Sequence, residues 1–88
     1  MTLILNRKDV ASVLQMNDCM SVVESAYAEL ANGTAVLPLR TNIKPPNGLA
    51  LYMPAYLKGM GALACKVVTV YKNNPAKFNI PTTIGKVL

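Results

Sequence analysis

Ala62-Leu63-Ala64-Cys65-Lys66-Val67-Val68-Thr69-Val70-Tyr71 reads as one long strand, dense in valine and closed by an aromatic residue. It follows the turn Lys58-Gly59-Met60-Gly61 and runs into the polar loop Lys72-Asn73-Asn74-Pro75-Ala76-Lys77. Upstream, Leu49-Ala50-Leu51-Tyr52-Met53 is a second strand that Pro54 ends, preceded by the strong turn signal Pro45-Pro46-Asn47-Gly48. Earlier still, Leu37, Leu39, Thr41 and Ile43 alternate with Pro38, Arg40 and Asn42 at a period of two, and Pro38 marks an edge position or a strand start. Pro81 to Leu88 begins a fourth strand. Strands therefore fill the chain from about residue 36 to 88.

The first third has a different period. Asn6 is placed to cap a helix over 7–14, with Asp9 in its first turn and Val10, Val13 and Leu14 at helical spacing. Asn17 is placed to cap a second helix over 18–31, with Asp18 in its first turn. Cys19, Val23, Ala26, Tyr27 and Leu30 form its apolar stripe, which reads as core packing, and Asn32-Gly33 supplies a left-handed stop. Leu3-Ile4-Leu5 reads as a short edge strand. Two N-terminal helices followed by turn-linked strands define an α+β fold with a mixed or antiparallel sheet.

Eighty-eight residues make one small domain or part of one, and such a chain hides only about 60–65% of its unfolded surface. Yet 52% of the residues are hydrophobic and the mean hydropathy is +0.31, more than a small independent domain needs. A surplus of this kind calls for a second copy or a further domain. Thr83-Ile84-Gly85-Lys86-Val87-Leu88 stops on apolar residues in what reads as the middle of a strand, so the chain is expected to be the front piece of something longer.

The net charge of +5 is unevenly placed. Residues 1–30 hold all four acids and two bases, whereas residues 31–88 hold seven bases and no acid. Those bases are scattered singly, without a basic run or RNA-binding aromatic pattern, so nucleic acid is not the expected partner. A positive pocket for a small anion, or an acidic partner domain, suits them better. Histidine is absent, and Cys19 and Cys65 have no metal or redox spacing, which leaves no zinc site or His-based triad. No apolar run approaches the ~18 residues of a membrane helix, and Met1–Leu5 is too short for a signal peptide. A cytoplasmic protein is expected.

Arg40 and Lys66 are the chemically informative residues. Each is a cation in an apolar, strand-like setting, and such a cation either lies on an exposed strand face or serves a site. A guanidinium grips a carboxylate at two points, and an ammonium is a compact point charge. Converging on one pocket, they would suit a small carboxylic acid. Gly59-x-Gly61-x-x-Ala64 superficially matches a dinucleotide fingerprint, but a strand follows it where a helix is needed, and no acid lies about 20 residues on. These glycines read as turn residues.

Five segments occur in order at set intervals: Leu37-Pro38-Leu39-Arg40-Thr41, Leu51-Tyr52-Met53-Pro54-Ala55-Tyr56, Leu63 to Tyr71, Asn74-Pro75-Ala76 and Ile80-Pro81-Thr82. Together with the helix leading into them, they strongly resemble the N-terminal part of the ornithine cyclodeaminase/μ-crystallin family, over essentially the whole chain. The resemblance implies an NAD(P)-dependent homodimeric enzyme whose N-terminal part binds substrate and dimerises through the sheet. A Rossmann domain would follow, absent from these 88 residues. Family chemistry begins with hydride leaving the substrate Cα for the nicotinamide, giving an imine. Cyclodeaminases then turn ornithine into proline and ammonia, while dehydrogenases such as alanine dehydrogenase admit water. By the same resemblance Arg40 matches the arginine that binds the substrate carboxylate, and Lys66 matches the active-site lysine beside the reacting carbon. Met53 and Thr82 match pocket positions. The NAD or NADP site, a second arginine and the acid/base aspartate would lie beyond residue 88, so this chain alone is expected to be inactive. The alternative is a non-catalytic dimerisation or ligand-binding module of the μ-crystallin kind.

Overall fold

The computed structural model describes residues 1–88. The order is α1 (Arg7–Val13), α2 (Met16–Asn32), β1 (Ala35–Val36), β2 (Thr41–Ile43), β3 (Gly48–Leu57), β4 (Ala62–Tyr71), α3 (Asn74–Phe78) and β5 (Thr83–Val87). All strand pairs are antiparallel, in the order β1-β3-β4-β5, with β2 also on β3. The α+β architecture is as the sequence implies.

Asn6 caps α1 through a full capping box. Its Oδ1 accepts from the Lys8 and Asp9 N–H groups at 2.8 and 3.0 Å, and Asp9 Oδ2 accepts from the Asn6 N–H at 2.9 Å. Asn17 does not cap α2. With α1 ending at Val13, the extended pair Leu14-Gln15 is the whole linker, so the helix starts at Met16 and Asn17 falls inside its first turn. Gly33 ends α2 at φ 76°. Leu3-Ile4-Leu5 pairs with nothing, because no strand comes alongside it.

The sheet departs from the sequence reading at its prolines. β3 does not stop at Pro54 but continues to Leu57, paired with β4 throughout. The Cys65 N–H and carbonyl both bond to Leu88, at 3.0 and 2.8 Å, so the Cys65–Pro54 pair makes no ladder bonds with itself. The nitrogen of Pro54 therefore faces the opposite edge, where the expected strand 37–43 is broken. Val36 opposes Tyr56 and Thr41 opposes Tyr52, so the four residues Leu37-Pro38-Leu39-Arg40 span only three of β3. That segment is a bulge, and two prolines without N–H groups face each other across it. The turn Pro45–Gly48 is type II, with Asn47 at φ 63° and the Gly48 N–H donating to the Pro45 carbonyl at 3.1 Å. The expected polar loop after β4 contains α3, which Pro75 helps to start.

The α2 stripe is not buried: Val23, Tyr27 and Leu30 are exposed, and α2 meets the sheet chiefly along β1 and at the β3–β4 turn. Ala50 is the one buried hydrophobic residue. The accessible surface is 7488 Å², whereas a folded monomer of 9.5 kDa exposes about 5,000 Å². The radius of gyration is 15.9 Å, against about 12 Å for a compact domain of this length.

Candidate functional site

The pairing register brings three of the four sequence-predicted site residues together. Met53 and Lys66 are direct cross-strand partners on β3 and β4. Carried one residue outward, the β2–β3 register sets Arg40 opposite Met53 on the other side. Met53 and Lys66 share one face of the sheet, and Arg40, the irregular residue just before β2, extends that pair into a row. Two interstrand steps separate the cations, about 10 Å between Cα atoms. Both side chains are long enough to reach inward over the Met53 thioether.

Arg40 and Lys66 are both exposed and Met53 is half-buried. The apolar strands around the cations do not dehydrate them: both side chains stay open to solvent. Neither cation donates a hydrogen bond to a protein group. With every acid confined to residues 1–30, the row lies in a stretch of uniformly positive charge, which favours an anionic ligand.

Thr82 lies elsewhere. It immediately precedes β5, with its carbonyl accepting from the Tyr71 N–H at 2.9 Å. That position is five residues along β4 from Lys66, about 16 Å, and alternation puts it on the opposite face. Gly59 and Gly61 occupy the β3–β4 turn, Gly61 at φ 65°, and a strand follows them. The helix N-terminus that a pyrophosphate requires is missing there, so these residues do not fit a dinucleotide. No three His, Cys, Asp or Glu side chains gather to hold a metal ion.

Sequence reasoning missed Glu29. This half-buried carboxylate near the end of α2 accepts from the Gly59 N–H at 2.6 Å, the Met60 N–H at 3.0 Å and Thr34 Oγ1 at 2.9 Å. Desolvation pushes its pKa up, but the two backbone donors and the threonine hydroxyl outweigh it and hold the carboxyl below its ordinary range. Its signal in the sequence was position: a carboxylate in the last turn of a helix opposes the macrodipole and needs donors from elsewhere.

The fold is thus an antiparallel sheet that carries Met53 and Lys66 as cross-strand neighbours, with a helical pair at its side. The sequence model of the Ornithine cyclodeaminase/mu-crystallin family matches residues 1–88, and the chain belongs to that family. It is 34% identical over 84 residues to an alanine dehydrogenase of Archaeoglobus fulgidus, covering 96% of this chain and 25% of that protein. Among solved structures it resembles the Δ1-pyrroline-2-carboxylate reductase of Thermococcus litoralis in complex with NADH and L-proline. The TM-score is 0.87 at 42% identity, over 99% of this chain and 27% of that one. It also resembles an archaeal alanine dehydrogenase dimer with bound NAD, with a TM-score of 0.86 at 33% identity over 99% of this chain and 26% of that one. The chain therefore spans about a quarter of the length of these relatives.

Proposed function

We propose that residues 1–88 are the substrate-binding and dimerisation part of an NAD(P)-dependent enzyme acting on a small amino or imino acid. The relatives bracket the reaction class: alanine dehydrogenase and pyrroline-2-carboxylate reductase, beside the ornithine cyclodeaminases of the family's name. The row Arg40–Met53–Lys66 is the observation that carries this reading. In it the Arg40 fork grips the substrate carboxylate and so orients Cα. Lys66 places a second positive charge beside that carbon, which disfavours protonation of the substrate amine, and Met53 forms the floor between them. Thr82 serves the pocket only if the complete protein wraps around the β5 end of the sheet. The dinucleotide belongs to residues outside this stretch, and the stretch alone is inactive. A soluble, cytoplasmic homodimer joined through the sheet is part of the same proposal.

The test is Arg40→Ala in the protein as its cell makes it. Loss of the clamp should remove about 2–5 kcal/mol from kcat/KM for a carboxylate substrate, by analogy with stripping one partner from a buried charge pair. Unchanged kinetics would remove Arg40 from the site. A second reading, a non-catalytic module, draws support from the misfit between these residues and a dinucleotide. It predicts that the native product dimerises and leaves NADH fluorescence untouched.

A further inference from the structure

We propose that Glu29 is a clasp that fixes α2 to the β3–β4 turn, and that neutralising its carboxylate frees the helix from the sheet. Three observations converge on it. Apart from an Asn74–Pro81 contact and a long 3.5 Å Thr69–Ile84 contact, the side-chain hydrogen bonds that bridge different elements all end on Glu29 or its neighbour Thr34. Gly59 is shaped to receive it: a Cβ there would stand 2.9 Å from the Glu29 carboxyl carbon. And the helix itself has no use for the charge, since the last turn of α2 carries no base to balance it.

The turn's two successive N–H groups form a small cradle for an anion, and a side chain of the same protein occupies it. The groups facing the carboxylate from α2, the β1 approach and the turn are all neutral: Thr34 Oγ1 and the Gly59 and Met60 amides. Lys58, the only charged residue of the turn, ties its backbone N–H to the Thr34 carbonyl at 3.0 Å and makes no side-chain hydrogen bond. Protonation therefore has one effect, the loss of an anion from three donors. Beside this clasp, the Lys58–Thr34 backbone bond and a short contact with β1 join the end of α2 to the sheet, so the clasp is a large part of that attachment.

The experiment follows the Gly59 and Met60 amide proton shifts by NMR through an acid titration of the protein as its cell makes it. It needs no substrate and is independent of the proposed activity. In the wild type both amides should move together, with a midpoint below the ordinary carboxylate value of 4.5, and α2 amides should lose protection about tenfold or more across the same step. Glu29→Gln should abolish the titration. Thr34→Val, which removes one donor and leaves the backbone intact, should raise the midpoint toward the ordinary value. Amides that ignore the titration, a midpoint at or above 4.5, or wild-type Gly59 and Met60 shifts at random-coil positions would each overturn the clasp.

Discussion

Replacing Arg40 by lysine keeps the charge of the row and removes its fork. A guanidinium offers two parallel N–H donors to a carboxylate, and an ammonium offers one point contact. Losing one charge-assisted hydrogen bond corresponds to about 1.5–3 kcal/mol, so Arg40→Lys in the complete protein should raise KM for a carboxylate substrate roughly tenfold or more. Steady-state kinetics check this, and an unaltered KM would mean that charge alone matters at that position. Gly48 presents the opposite case, a residue defined by what it lacks. The Tyr71 ring lies so close over Gly48 that any Cβ would collide with it. Gly48→Ala should therefore destabilise the chain by about 1–3 kcal/mol, read as a lowered midpoint in urea. The two differ in how visible they are in a sequence. Arg40 and Lys66 stand out because a cation among apolar strand residues is chemically odd. Gly48 is just another turn glycine until the register sets it against Tyr71, and Glu29 passes for a solvent-facing helix residue until a turn 30 residues on is folded against it.

Elements show which rules are local. The capping box of α1 involves only residues 6–9, and its cap residue was legible because a side chain three residues from its donor needs no tertiary help. Asn6→Ala should cost about 1 kcal/mol, seen as lost helicity by circular dichroism. The extent of β3 was not legible. Pro54 forbids a ladder bond on one side only, and which side depends on the parity of its pairing with Cys65, a property of the whole sheet. Leu37–Arg40 bulges on the edge that Pro54 faces, and Arg40 stands at the end of that bulge, next to β2. The attachment of α2 is pH-dependent for a reason at this scale. Glu29 has its folded pKa depressed, so its stabilising contribution is fully present above the ordinary carboxylate value and is lost as pH falls through the lowered folded value. Urea midpoints of wild type and Glu29→Gln should thus differ at neutral pH and converge in acid. Parallel curves at all pH values would show that the carboxylate does not couple to folding.

At the scale of the molecule, the governing quantity is the roughly 2,500 Å² of surface beyond what a compact chain of this mass exposes. One-sided burial of that size is typical of permanent assemblies rather than transient contacts. The α2 stripe, read from its spacing as core packing, departs from that reading at this scale: Val23, Tyr27 and Leu30 stay exposed within residues 1–88, because periodicity marks an apolar face without supplying the surface that covers it. Part of the exposed apolar surface lies on the sheet. Tyr52 and Tyr56, both 38% exposed, project from β3 on the face opposite the Arg40–Met53–Lys66 row. A dimer joined through that face leaves the cations free for substrate, whereas a dimer over the row would block them. Tyr52→Lys places a charge in the centre of the apolar face, where buried tyrosines commonly contribute 2 kcal/mol or more to association. Sedimentation velocity should show the wild-type chain as a species of twice 9.5 kDa and the variant shifted toward monomer, with its dissociation constant raised about tenfold or more. A dimer indifferent to Tyr52→Lys would place the contact on another face, and a wild-type monomer would remove the dimer from the proposal.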